Sequence, residues 1–447
     1  MPRPDPLWIA QRHNQDWRDE ETLRVINWFT STMDTRDWSR RMDIVRQNFE
    51  VGKKEWAVGN QVQLFDPKDT IAWYIFQAQA GASCREDWYE PDAFRISPIF
   101  NRLGKIITDL EAVSGIQDRI QTLLTRGKAQ PDDGLFELLI AGAYKRRNWR
   151  NVAFVPERPG ISKSQDLLVS TGRRHWAVEC KRAGRSGYEK KEIERANSLI
   201  LPVHELCRSK GKSIIVQVIF KVELSEVNDD YLVEKAENFL DNSSCRFWDD
   251  DYGKVYIVYV DWRLTHAVLA HDDVFYASSR MAELLTGRYS SQMDYNIVAD
   301  WVPAAKRPLH ATSLSRASVV SWASRSFAAA ERKASHFKSV VGKASKQLPG
   351  DIPGVIHVGY EAKGATSVDD LRHVLNSMVI KDFDPGKSRL RWVYGSYLSP
   401  EHTNNRNESW AISETTAQYK IGRHSTNEPL PNHLLFNDGT GEPGHHW

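Results

Sequence analysis

The stretch DLLVSTGRRHWAVECK, residues 166–181, decides how this chain is interpreted. Two apolar runs flank a Gly-Arg-Arg turn, which is typical of two adjacent β-strands. Side chains alternate along a strand, so Glu179 and Lys181 share one face near the strand end. Asp166 opens the preceding strand and can approach this pair. The opposite face of the second strand is apolar and consists of Trp176, Val178 and Cys180.

Two carboxylates and a lysine in one place form a costly arrangement unless something binds there. The Asp166 and Glu179 carboxylates repel each other unless a cation lies between them. Oxygen ligands of this kind suit Mg²⁺, which typically takes one or two carboxylates and keeps several waters. Lys181 can then contact an attacking water or a phosphate. This pattern predicts a metal-dependent site acting on a phosphate ester.

The surrounding pattern predicts a mixed α/β fold with three regions. We expect a mostly helical region at 1–115, a core at 116–262 and an α/β region at 263–447, irregular from about 423, which either continues the core sheet or forms its own domain. The core reads as α-β-β-β-α-β. Its predicted elements are a helix at 135–145, strands at 152–155, 166–169 and 175–181, a helix at 188–207 and a strand at 213–222. Further strands are predicted at 255–260, 354–360, 391–398 and 410–415, and further helices at 327–348 and 368–379.

Asp166 followed by Glu179-Cys180-Lys181, within this order of elements, resembles the PD-(D/E)xK nuclease superfamily. The resemblance implies a restriction-endonuclease-like core, in which a central mixed sheet is flanked by helices. It implies that Asp166 and Glu179 ligate the metal, with help from the Cys180 backbone carbonyl, and that Lys181 positions or activates water. Glu137, on the preceding helix, would support the metal site. Gln165 stands where the literal motif has proline.

The activity implied is that of a Mg²⁺-dependent endonuclease hydrolysing phosphodiester bonds in DNA, with Mn²⁺ able to substitute. A role in restriction or anti-phage defence follows from the habits of the family. Two alternatives stay open. The same fold could serve as a catalytically inactive nucleic-acid-binding or scaffolding module, or the substrate could be RNA.

Glu-x-Lys by itself is a weak signal, because it also occurs at Glu189, Glu331 and Glu361. The first two lie in predicted helices and are better interpreted as surface charge. Glu361 follows a predicted strand, but no suitable aspartate strand precedes it. The competing interpretation of Glu179 and Lys181 is an ordinary surface salt bridge.

Basic residues are concentrated around the motif, with 14 Lys and Arg against 6 Asp and Glu between Lys145 and Arg195. Such a stretch is a candidate surface for the phosphate backbone, although solvated helix faces look the same in sequence. The candidate nucleic-acid-binding residues are Arg146, Arg147, Arg150, Arg173, Arg174, Arg182 and Arg185.

Several classes of protein are disfavoured. The sequence has no run of 18 apolar residues, so no membrane span is expected. Its 4 cysteines show no C-x-x-C spacing, which favours a reduced, cytoplasmic protein without a zinc ribbon. It has no G-x-x-x-x-G-K-[ST] motif, so any ATP use requires a partner ATPase in trans. If both strands of a duplex are cut, a homodimer is expected.

Overall fold

The computed structural model describes residues 19–58, 60, 62–83, 87–156, 164–276, 278–290, 292–305, 307–361, 370–401, 411–431 and 435–436. The chain has a mixed α/β fold with mixed sheets flanked by helices, as predicted. Within the described residues, no helix is long and apolar enough to cross a membrane.

The region from residue 19 to the first strand is helical, as predicted for the described part of 1–115, and residues 1–18 of that prediction lie outside the described residues. Asp19 and Asp34 start the first two helices by accepting hydrogen bonds from backbone N–H groups of the first turn. Trp73 and most of its helix are buried at the centre of this layer. The helices are α1 Glu20–Thr30, α2 Thr35–Ala57, α3 Thr70–Ser83, α4 Glu90–Lys105, α5 Ile107–Glu111 and α6 Ile116–Leu124.

Helix α7 leads into three antiparallel strands. It starts with a proline at its first position, a common helix start, and carries two aspartates in its first turn. Leu167 pairs with Val178 and Ser170 with His175, so the Gly-Arg-Arg turn joins the second and third strands as predicted. The elements are α7 Pro131–Arg146, β1 Asn151–Phe154, β2 Leu167–Ser170 and β3 His175–Ala183.

The next helix carries the chain into a second sheet. The strand predicted at 213–222 exists, but its assignment to the nuclease core is wrong, because its neighbours are two later strands of the second sheet. An apolar, β-branched run fits a buried strand of either sheet, so the local sequence pattern could not determine which sheet this strand joins. The elements are α8 Gly187–Ser209, β4 Ile214–Phe220, α9 Tyr231–Asp241, β5 Phe247–Asp249, β6 Gly253–Tyr259, α10 Trp262–Leu269, β7 Val274–Phe275, α11 Ser279–Thr286, β8 Asp294–Pro303 and β9 His310–Ser324. The strand order is β5-β6-β4-β9-β7, with β8 paired to β9.

The chain then returns to the first sheet, through α12 Phe327–Ser345, β10 Gly354–Glu361, α13 Asp370–Lys381, β11 Leu390–Glu401 and β12 Ala411–Lys420. Strand β10 lies parallel to β3 on one side and to β11 on the other. The C-terminal region therefore continues the sheet that carries the motif, one of the two predicted alternatives. The predicted boundary at 262/263 falls inside the second sheet and its helices, so it does not separate the two sheets.

Strand β3 is central and is covered on both faces. Val178 packs among the helices of the N-terminal layer, whereas Ala177 packs with Phe337 of α12 and Ile356 of β10. Central strands of parallel pairs are commonly buried in this way. The side chain of Glu179 is consequently 0% exposed, although the sequence pattern predicted a polar pair aimed away from the core.

A buried histidine in the second sheet predicts a measurable pH dependence. His204 Nδ1 lies 2.5 Å from Ser318 Oγ, and its Nε2 lies 3.1 Å from Asn296 Oδ1. Burial lowers the pKa of His204 to about 4, although the Asn296 contact opposes the shift. The neutral imidazole therefore stabilises the fold above its unfolded pKa, and this stabilisation is lost as the pH falls towards 4.

We expect the free energy of unfolding, measured with urea, to be about 2 kcal/mol lower at pH 5 than at pH 7 through His204 alone. The variant His204→Gln should lack this part of the pH dependence. Identical pH profiles for the two proteins would contradict the assignment.

Candidate active site

Asp166, directly before the start of β2, lies beside Glu179 in the middle of β3. The Asp166 N–H donates to the Val178 carbonyl at 3.1 Å, which continues the pairing of β2 with β3. The Asp166 carboxylate accepts a hydrogen bond from the Cys180 N–H at 2.7 Å. This bond fixes the aspartate against the Glu-Cys-Lys segment. The predicted approach of Asp166 to the Glu179–Lys181 pair is therefore present.

Glu179 is an acid in an unfavourable environment for a negative charge. Burial raises the pKa of Glu179 to about 8, and the neighbouring Asp166 carboxylate adds to the rise. Burial also raises the pKa of Asp166, against the Cys180 N–H and Lys181. Two buried carboxylates of raised pKa favour a proton or a cation between them.

Lys181 is the positive member of the cluster. Its ammonium group contacts a carboxylate oxygen of Glu179, and its side chain is 30% exposed. Burial by itself would lower the pKa of Lys181, but Glu179 and Asp166 raise it above its ordinary value. The lysine is therefore positively charged at neutral pH and reaches solvent, whereas its partner does not. The competing interpretation as a surface salt bridge does not fit a fully buried glutamate.

The donor set fits Mg²⁺ held mainly by water. Asp166 and Glu179 supply two carboxylates, which is the number Mg²⁺ commonly takes from protein. Across the described ranges, no group of three or more His, Cys, Asp or Glu is arranged to hold a metal ion. Two carboxylates suit an ion that keeps several of its waters. The ligand role of the Cys180 carbonyl stays a prediction.

Glu137 lies on α7 with its carboxylate against the Arg119 guanidinium of α6. The glutamate is buried, and the arginine also lowers the pKa of Asp166. Glu137 is thus connected to Asp166 through Arg119. The sequence analysis missed Arg119. It lies on α6, which is separated from the motif by α7, and no sequence pattern around it indicates a site.

No family model matches this chain, and comparison with curated proteins and with solved structures found no match. The superfamily resemblance therefore rests on the residues and strand order given above.

The first turn of α7 adds a third acid near the cluster. Burial raises the pKa of Asp133, and Asp132 raises it further, while Lys181 and Arg182 lower it. These influences place Asp133 close to the end of β3. The sequence pattern predicted this helix only from residue 135, so the contribution of Asp133 to the site was missed.

The seven candidate arginines do not form one group. Arg182 and Arg185 lie at the site end of β3, where both lower the pKa of Glu361. The others lie around the opposite end of β3, about 20 Å away at 3.3 Å per residue. This distant set consists of Arg146, Arg147, Arg150, Arg173 and Arg174. Of the seven candidate arginines, Arg182 and Arg185 therefore lie at the site.

Two of the distant arginines have structural contacts. Arg174 donates to the carbonyls of Asn427 and Glu428 at 3.2 and 3.3 Å, and its guanidinium lies 5.5 Å from the Trp149 ring centroid. Arg146 lies 4.0 Å from Asp109. These contacts explain part of the basic stretch without a ligand.

The competing triplet beginning at Glu361 lies at the same edge of the sheet, since β10 is parallel to β3. Glu361 contacts Arg95 and Arg182, and Lys363 lies outside the described residues. The Glu361 carboxylate faces arginines where Glu179 faces an acid and a lysine. Of Glu179 and Glu361, only Glu179 therefore has the surroundings of the predicted site.

Proposed function

We propose that this protein is a Mg²⁺-dependent nuclease that hydrolyses phosphodiester bonds in DNA. The observation that carries the proposal is the meeting of Asp166, at the start of β2, with Glu179 and Lys181 of β3. Further support comes from the order of elements. A helix, three antiparallel strands and a parallel fourth strand, β10, support the resemblance to the superfamily core if the second sheet is treated as an insertion.

In this proposal Asp166 and Glu179 hold the metal ion from adjacent strands. A bound Mg²⁺ would supply Lewis acidity, which lowers the pKa of bound water and offsets charge on the phosphate. Binding of the ion requires Glu179 to lose its proton, because its raised pKa favours the neutral acid near pH 7. The Cys180 N–H keeps Asp166 in place during this change.

Lys181 has two tasks in this proposal. In the free protein it contacts Glu179, and its exposed fraction leaves it accessible to substrate. Its ammonium group can orient the attacking water or contact a non-bridging phosphate oxygen. Arg119 and Glu137 fix α6 and α7 behind Asp166, so they act as positioning residues.

The test is an incubation of the full chain with linear duplex DNA, supercoiled DNA, single-stranded DNA and RNA, in Mg²⁺, in Mn²⁺ and in EDTA. We expect DNA cleavage in either metal and none in EDTA. The variant Asp166→Ala should lose this cleavage, because one of the two carboxylates is gone. Cleavage in EDTA, or full activity of Asp166→Ala, would contradict the proposal.

The same experiment separates the alternatives. Cleavage of RNA alone would assign a ribonuclease. Binding of DNA without cleavage in any metal would favour an inactive binding module, and salt should then weaken the binding steeply. Addition of a cell extract as a source of an ATPase would reveal an enzyme that needs a partner.

A further inference from the structure

Beside the candidate active site, two arginines converge on a single carboxylate oxygen. Arg95 of α4 donates from Nη1 to Glu361 Oε1 at 2.9 Å. Arg182 of β3 donates from Nη2 to the same oxygen at 3.1 Å. Arg95 is further held by Asp132, with Nη1 to carboxylate distances of 3.1 and 3.3 Å. The pair therefore forms a fixed cradle for an oxygen anion.

One hydrogen-bond donor of the cradle has no acceptor among the described residues. The side chain of Arg182 is only 10% exposed, and its Nη1 is buried without a hydrogen-bond partner among the residues that the structure describes. A buried guanidinium N–H that lacks an acceptor is costly. A tetrahedral phosphate presents more acceptor oxygens than a carboxylate does, and the planar guanidinium matches it in two-point contact.

The cradle is also open to a ligand. The Glu361 side chain is 45% exposed, so the carboxylate lies at the mouth of the site and the arginines lie behind it. Burial would raise the pKa of Glu361, but Arg95, Arg182 and Arg185 together hold it below its ordinary value. Glu361 is thus negatively charged and neutralises the arginines. Another anion could take the place of its carboxylate.

We propose that Arg95 and Arg182 form a binding site for a backbone phosphate of DNA next to the scissile one, and that Glu361 fills this site in the free protein. The phosphate then displaces the Glu361 carboxylate, which swings into solvent. The inference rests on the proposed nuclease function, because it takes DNA as the ligand. It gives the N-terminal helical layer a part in the site, since Arg95 is supplied by α4.

The experiment measures binding of a fluorescently labelled DNA duplex to the full chain in EDTA, where cleavage is absent. Glu361→Gln should bind the duplex about fivefold more tightly than wild type, because the internal competitor is removed. Adding Arg182→Ala to Glu361→Gln should abolish this gain. Glu331→Gln removes the same charge from an exposed position on α12 and should bind like wild type.

Circular dichroism and thermal unfolding report whether each variant folds. If Arg182→Ala does not fold, the double variant Glu361→Gln with Arg95→Gln serves the same purpose. Equal affinities for Glu361→Gln and Glu331→Gln would overturn the inference, as would a gain that persists without the arginine.

The two proposals fail in different ways. Tighter binding by Glu361→Gln, with no cleavage by wild type in Mg²⁺, would support the phosphate site and reject the nuclease function. Metal-dependent cleavage with unchanged affinity in Glu361→Gln would support the nuclease function and reject the phosphate site.

Discussion

Replacement of Lys181 with alanine is expected to lower the rate of Mg²⁺-dependent DNA cleavage by about two to four orders of magnitude, the usual contribution of a positioned group that handles a proton. The variant removes the only ammonium group that contacts Glu179 in the described site. It leaves both carboxylates, so affinity for the metal should be retained. Single-turnover rates at saturating Mg²⁺ measure the loss directly.

The matched control is Lys191→Ala. Lys191 closes another Glu-x-Lys triplet, but it is exposed on α8. This variant should cleave DNA at the wild-type rate. Such a result would show that the structural position of the lysine, and not the Glu-x-Lys sequence motif alone, determines activity. A Lys181→Ala protein as active as the control would remove Lys181 from the chemistry.

Replacement of Glu179 with glutamine is expected to stabilise the metal-free protein above pH 8 while abolishing cleavage. The pKa of Glu179 is about 8 in the folded protein and near 4.5 when unfolded, so the folded state retains its proton over that interval. Stability is therefore highest below pH 4.5 with respect to this group, and it falls as the pH rises through 8. Glutamine imitates the protonated acid at every pH.

The gain should be on the order of a few kcal/mol in the free energy of unfolding at pH 9, and should shrink to about 1 kcal/mol at pH 5. Urea denaturation of wild type and Glu179→Gln in EDTA measures it, with Glu331→Gln as the control for loss of a surface charge. Added Mg²⁺ should raise the melting temperature of wild type but not of Glu179→Gln. If Glu179→Gln were less stable than wild type at pH 9, the ion pair between Glu179 and Lys181 would stabilise the protein more than burial of the charge destabilises it.

The site residues that share one strand pair were accessible from the sequence. Alternation with period two placed Glu179 with Lys181, and the turn between the strands brought Asp166 to them. The burial of Glu179 was not accessible, because it depends on α12 and β10, which come from far along the chain.

Partners supplied by distant segments could not be predicted either. Arg119 and Arg95 reach the site from α6 and α4 only because the helical layer packs on the first sheet. The assignment of β4 to the predicted core failed for a related reason, since no local pattern separates β4 from β10, the observed neighbour of β3. Both strands are apolar and of similar length, so the energies that decide between them are those of tertiary packing.

The position of the second sheet within the chain has a consequence for biosynthesis. A ribosome completes α8 through β9 after β3 has emerged and before β10 exists. Domains tend to fold as units during synthesis, so the inserted sheet is expected to fold while β3 still has an open edge. We expect the Glu179 carboxylate to stay hydrated until α12 and β10 cover β3. The proposed site is thus expected to assemble only after β10, Gly354–Glu361, has been made.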